Sequence, residues 1–137
     1  MGYNTRIKHS TAMIPAEKKD EVLQIWKDLN KPENDHLKRG GAYRDGAKHT
    51  AWFSWMPANY DETVTTVDDV LNELGFETVL DPDGNILICE YDSKMGQEDL
   101  FFKRVNHLLK GQILWEGEDG SEWVWELGSK AFLEAQS

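Results

Sequence analysis

The chain has one cysteine, four prolines and no apolar run approaching the roughly 18 residues that a membrane helix requires. A single cysteine excludes an internal disulfide. Cys89 closes the apolar run Ile86-Leu87-Ile88-Cys89, where a buried, inert thiol is expected rather than a nucleophile. No charged-then-apolar signal pattern stands at the start, so a cytoplasmic location is expected. Basic residues are scarce: 15 Lys and Arg stand against 25 Asp and Glu, a net charge of −10. Phosphate backbones are held by clustered Lys and Arg, so direct nucleic-acid binding is not expected. The histidines His9, His36, His49 and His107 are scattered without ligand spacing, so neither a metal nor another cofactor is expected. No nucleophile, base and orienting group stand together, which makes the chain read as a non-enzymatic protein without catalytic residues.

What is present suits one domain with one core: 137 residues, 39% apolar, with six tryptophans. The charge is uneven. Residues 1–50 hold ten Lys or Arg and seven Asp or Glu, while residues 51–137 hold five and eighteen. The later part is an acidic body, able to steer a cationic partner.

Tyr3, Thr5 and Ile7 alternate with Asn4, Arg6 and Lys8, as a half-buried strand does. After Pro15, Val22, Ile25, Trp26 and Leu29 give the i, i+3, i+4, i+7 stripe of a helix over residues 17–29. Residues 30–49 are polar and glycine-rich with neither periodicity and read as a mobile loop. Residues 51–56 read as a short strand stopped by Pro57. Thr66–Leu74 carries a capping-box-like Thr66/Asp69 pair, an apolar stripe and a Gly75 stop. Residues 76–80 and 85–91 read as strands around Asp81-Pro82-Asp83-Gly84. That tetrad fits a type I turn, whereas a calcium loop would require glycine at Ile86 and glutamate at Asp92. Residues 97–109 form a third helix by pattern, with Phe101, Phe102, Val105, Leu108 and Leu109 inward. The order argues for a single two-layer α+β domain over residues 1–137, its mainly antiparallel sheet covered on one face by about three helices.

The stretch GQILWEGEDGSEWVWEL (111–127) is the clearest hairpin. Asp119-Gly120 as a two-residue turn pairs Glu116 with Trp123 and Leu114 with Trp125. One face then carries Leu114, Glu116, Trp123, Trp125 and Leu127, and the other Ile113, Trp115, Glu122, Val124 and Glu126. A one-residue slip exchanges the two. Tryptophan left over by the core, beside the acids of the turn, makes a candidate surface for a cationic protein partner: Trp115, Glu116, Glu118, Asp119, Glu122 and Trp123. An alternative is a small-molecule or nucleotide site, where Lys38, Arg39 and Arg44 meet Trp52 and Trp55.

Three stretches, MGYNTR (1–6), WFSWMP (52–57) and GQILWEGEDGSEW (111–123), resemble a family of small proteins from bacteriophages and actinobacterial genomes. Its members open MGYxTR, carry a W-x-x-W-x-P-like segment and close with an F-x-x-V…GxIxxxGED…W hairpin. The matching positions are Phe102, Val105, Gly111, Ile113, Glu116, Gly117, Glu118, Asp119 and Trp123. The resemblance implies a phage-type accessory protein, in the host cytoplasm if phage-encoded, and carries no catalytic residue. The expectation is a protein that binds and modulates a host protein, such as a defence or DNA-handling one.

Overall fold

The computed structural model describes residues 3–37, 40–44, 47–52, 59–94 and 97–134. In chain order they form β1 (Asn4–Ser10), β2 (Met13–Ile14), α1 (Lys19–Leu29), β3 (Gly40–Arg44), β4 (Ala47–Ala51), α2 (Tyr60–Thr63), α3 (Val67–Leu74), β5 (Glu77–Leu80), β6 (Ile86–Glu90), β7 (Asp92–Lys94), α4 (Glu98–Arg104), β8 (Gln112–Gly117), β9 (Glu122–Glu126) and α5 (Lys130–Glu134). The fold is α+β. One sheet runs β7-β1-β8-β9, a second β2-β6-β5, and β3 pairs with β4 alone.

The two larger sheets meet at a corner. The path β1–β2 pairs with β7 in one sheet and with β6 in the other. Ser10 pins the bend, its Oγ donating to the Ile88 carbonyl at 2.6 Å and accepting from the Ala12 N–H at 3.1 Å. Thr11 answers Gln112 from the neighbouring strand, with its N–H on the Gln112 carbonyl at 2.8 Å and its Oγ1 accepting the Gln112 N–H at 2.9 Å. That approach requires glycine at 111. Its φ is +93°, and a Cβ there would lie 2.1 Å from the Thr11 carbonyl oxygen.

The helices follow their apolar stripes. Val22, Trp26 and Leu29 of α1 are buried, as are Val67, Val70, Leu71 and Leu74 of α3. Thr66 caps α3 with the reciprocal Asp69 contact, and Gly75 takes the left-handed stop. The Asp69 carboxyl is held below the usual range, chiefly by the Thr65 backbone N–H and then by the Thr65 and Thr66 groups around it. In the core, the Trp26 indole donates to the Phe101 carbonyl at 2.7 Å, and the Tyr60 hydroxyl donates to the Trp26 carbonyl at 2.6 Å.

Four expectations change. Residues 30–49 are not all loop: a 3-10 turn spans Pro32–Leu37, and the β3–β4 hairpin follows. Its strands are built from glycine, alanine and polar residues, so no apolar alternation marks them. The strand expected to begin at Ala51 ends there, as β4 spans Ala47–Ala51, and residues 53–58 fall outside the described ones. The third helix breaks after Arg104 into a 3-10 turn at Asn106–Leu108. There the buried Asn106 accepts the Gly128 N–H at 2.6 Å and donates to the Ser129 carbonyl at 2.9 Å, clamping the chain after β9. Cys89 is half-buried, because Ile86 and Ile88 take the inner face of β6.

Two stability outcomes follow. Gly111→Ala should cost about 2–4 kcal/mol, since the corner cannot widen without losing the Thr11–Gln112 bonds. Denaturant unfolding of both proteins measures it. The second concerns acid. A carboxyl with a depressed folded-state pKa stabilises above its unfolded pKa of roughly 3.9 and loses that contribution as pH falls through the folded value. Asp69→Asn should therefore lower the melting temperature at neutral pH and shrink the gap to the parent protein as pH falls below about 4.

Candidate functional site

The β8–β9 hairpin closes on three residues, not two. The Gly117 N–H donates to the Ser121 carbonyl at 2.8 Å and the Gly120 N–H to the Gly117 carbonyl at 2.9 Å, with Gly120 at φ +86°. Glu118-Asp119-Gly120 is thus a turn followed by a left-handed residue. The register becomes Ile113 opposite Trp125, Leu114 opposite Val124, Trp115 opposite Trp123 and Glu116 opposite Glu122. The expected pairing was one residue off, and the faces are redistributed accordingly.

The inner face now holds Ile113, Trp115, Trp123 and Trp125 together. Trp115 is 2% exposed and packs edge-on against Phe76, Tyr91 and Trp125. It is core, which corrects its assignment to a binding surface. Trp123 is half-buried at the margin of the same face. The outer face carries Gln112, Leu114, Glu116, Glu122, Val124 and Glu126, with Val124 53% exposed.

Glu116, Glu118, Asp119 and Glu122 do reach the surface, but β1 and the residue before it answer each of them. Arg6 pairs with Glu116, and Lys8 pairs with Glu122 while lying 4.0 Å from Glu116. Glu118 accepts the Asn4 N–H at 2.6 Å, and Asp119 accepts the Tyr3 hydroxyl. Gly117 makes room for Tyr3, because a Cβ there would collide with the phenol oxygen. The Tyr3 bond, and after it the Ser121 N–H, hold the Asp119 carboxyl below its ordinary range. Glu122 likewise raises the Lys8 ammonium.

The net negative charge comes from elsewhere in the chain. Between Lys48 and Lys94 the chain has ten Asp and Glu and no Lys or Arg; the rest of it balances, fifteen against fifteen. Among the described residues no ion pair reaches any of these ten acids. They sit on α2, α3, β5, β6 and the segments joining them, and extend to Asp92 at the start of β7. The tract has no run of more than two like charges along the sequence; the missing cations mark it, spread over 45 positions.

The alternative ligand site does not come together on the described residues. Trp52 is 3% exposed, donates its indole N–H to the Asn30 side chain at 3.2 Å and packs edge-on to Phe101. It belongs to the core. Arg44 ends β3. Lys38, Arg39 and Trp55 lie outside the described residues. Among the described residues no group of three or more His, Cys, Asp or Glu is placed to hold a metal ion, and no helix is long and apolar enough to cross a membrane.

No family model, curated protein or solved structure matches the chain.

The Tyr3–Asp119 contact is checked by titration. In Tyr3→Phe the Asp119 carboxyl should titrate at higher pH than in the parent protein, followed by the carboxyl carbon shift in NMR, while Asp69 stays where it was. An Asp119 curve that does not move would mean that the Tyr3 hydroxyl does not set it.

Proposed function

We propose that this is a non-enzymatic binding protein, a phage-type accessory protein that engages a cationic surface of a host protein and modulates it. The observation that carries the reading is the acidic tract between Lys48 and Lys94, with ten Asp and Glu, no Lys or Arg and no ion pair among the described residues, in a chain that is otherwise electrically balanced. Unpaired surface carboxylates attract a basic partner over a Debye length of roughly 8 Å at physiological salt and raise its rate of encounter. The hairpin acids contribute less, since Arg6 and Lys8 neutralise Glu116 and Glu122 and neutral donors hold Glu118 and Asp119. The exposed Val124 adds apolar area beside Glu116 and Glu122. The sequence resemblance gives the phage context, and it names no chemistry.

The test is capture from host lysate with tagged protein at low and high salt, with bound proteins identified by mass spectrometry. One stoichiometric partner should appear at low salt and be lost at high salt. The triple variant Glu77→Gln, Asp83→Asn, Glu90→Gln should keep its melting temperature within a few degrees and lose that partner. All three side chains are exposed, so folding does not depend on them. Capture indifferent to both salt and the triple variant would refute an electrostatic binding role.

A further inference from the structure

We infer that the open edge of β5 accepts an extended, cationic segment of a partner protein as an additional strand. The inference rests on the binding reading above and adds to it where and how the partner docks. β5 is the outer strand of its sheet, in the order β2-β6-β5. Two bonds fix which of its backbone groups face outward. The Ile88 N–H donates to the Ala12 carbonyl at 3.0 Å, away from β5, and the Asp81 N–H donates to the Asn85 carbonyl at 3.0 Å. Thr78 lies opposite Ile88, Val79 opposite Leu87 and Leu80 opposite Ile86. The alternation of an antiparallel ladder therefore turns the N–H and C=O groups of Thr78 and Leu80 to the open side. An incoming strand finds four backbone partners there, the geometry of strand addition.

The side chains fit such a guest. Val79 is 53% exposed and Leu80 62%, an unusual display for an edge strand with no lysine or proline to guard it. Met13, Leu87 and Val79 stand in register across the sheet and form one aliphatic row on its outer side. At the other end of the strand, Glu77 lies directly opposite Glu90. With Gly75, Tyr91 and Asp92 these two line a shallow cleft of about 280 Å³. Like charges directly opposite each other destabilise a sheet, and a lysine or arginine from the guest removes that repulsion.

Charge also decides between occupants. A second copy pairing β5 to β5 about Val79 would set Glu77 against Asp81 of its mate at both ends, and two lobes of the same sign would face each other. A partner strand alternating aliphatic and basic residues meets the edge, the row and the acids at once.

The probe is a six-residue peptide alternating lysine and valine, blocked at both ends, with a glutamate–valine peptide as control. Each is titrated into the labelled full chain and followed by amide NMR. The basic peptide should shift the amide signals of residues 77–81 and slow exchange of the Thr78 and Leu80 amides by about tenfold, and the acidic peptide should do neither. Leu80→Pro removes one outward N–H without touching a bond to β6, and edge strands tolerate proline there. It should weaken peptide binding by about tenfold. Val79→Lys keeps the backbone intact and should weaken it as well, which covers any misfolding of the proline variant. Shifts elsewhere only, equal binding by the acidic peptide or by both variants, or a β5-dependent dimer in sedimentation would overturn the proposal. A lysate partner that the triple acid variant loses and Leu80→Pro keeps would overturn strand addition and leave the binding reading standing.

Discussion

The contact between Trp115 and Trp125, ring centroids 4.9 Å apart, exists only because the closing hairpin turns on three residues. A two-residue turn would send Trp115 to solvent and bring Glu116 to the face that packs on α4. With the observed register, rings join across the interior. Phe102 meets Trp125 at 5.2 Å and Phe132 of α5 meets it at 5.2 Å. On the other side Trp115 touches Tyr91 at 5.4 Å and Phe76 at 6.0 Å, and Phe76 in turn reaches Phe102. Trp26 of α1 meets Phe102 at 6.2 Å, so α1, α4 and α5 are joined to the β8–β9 hairpin through this chain of aromatics. Trp115 holds its place although its indole N–H finds no partner among the described residues. An unmade bond of that kind costs about 1–3 kcal/mol, and burying an aromatic side chain of this size stabilises by about 4–6 kcal/mol. Packing therefore wins over hydrogen bonding at this position.

The same register decides the electrostatics. Once the indoles turn inward, Glu116 and Glu122 face outward beside β1, where Arg6 and Lys8 meet them. Residues more than a hundred positions apart are thereby joined: Glu116 and Glu122 gain cations, while the adjacent Glu118 and Asp119 are held by the Asn4 N–H and the Tyr3 hydroxyl. The opposite holds for the lobe built from α3, β5 and β6. Its acids are spaced out along the chain, yet no cation folds back onto them among the described residues. Local clustering of charge and net field are separate properties, and only the second steers a partner.

Local rules were legible and long-range ones were not. The Thr66/Asp69 box, the Gly75 stop, the Asp81 turn and the stripes of α1 and α3 are each set by residues within four positions of one another, and each stands where the pattern places it. The α+β class follows from their order. The β3–β4 hairpin escaped because glycine and alanine carry no apolar alternation. The break after Arg104 escaped because its cause is Asn106 holding residues 128 and 129, a bond no helical period encodes. Trp115 was misplaced by a single residue in the turn: Asp-Gly also fits the end of a three-residue loop, and the choice between the two is made by Tyr3 and Asn4 gripping Asp119 and Glu118. Trp52, an indole near basic residues in the sequence, lies in space against Phe101.

The two sheets therefore treat their exposed faces differently, and the difference bears on function. On the hairpin every acid of the turn region has a donor, and the aliphatic pair Leu114–Val124 lies between charged rungs that keep it wet. That face obeys the rules that make a sheet stable and solitary. On β5 such devices are missing together among the described residues: aliphatic side chains stay uncovered, Glu77 and Glu90 face each other without the cations that Glu116 and Glu122 have, and the outward backbone groups meet no strand. The first two would each be relieved by a change of one residue, lysine for Val79 or glutamine for Glu77. Local conflict of this kind, gathered on one strand, marks a candidate functional surface. Here it takes the form of an edge that a cationic strand would complete.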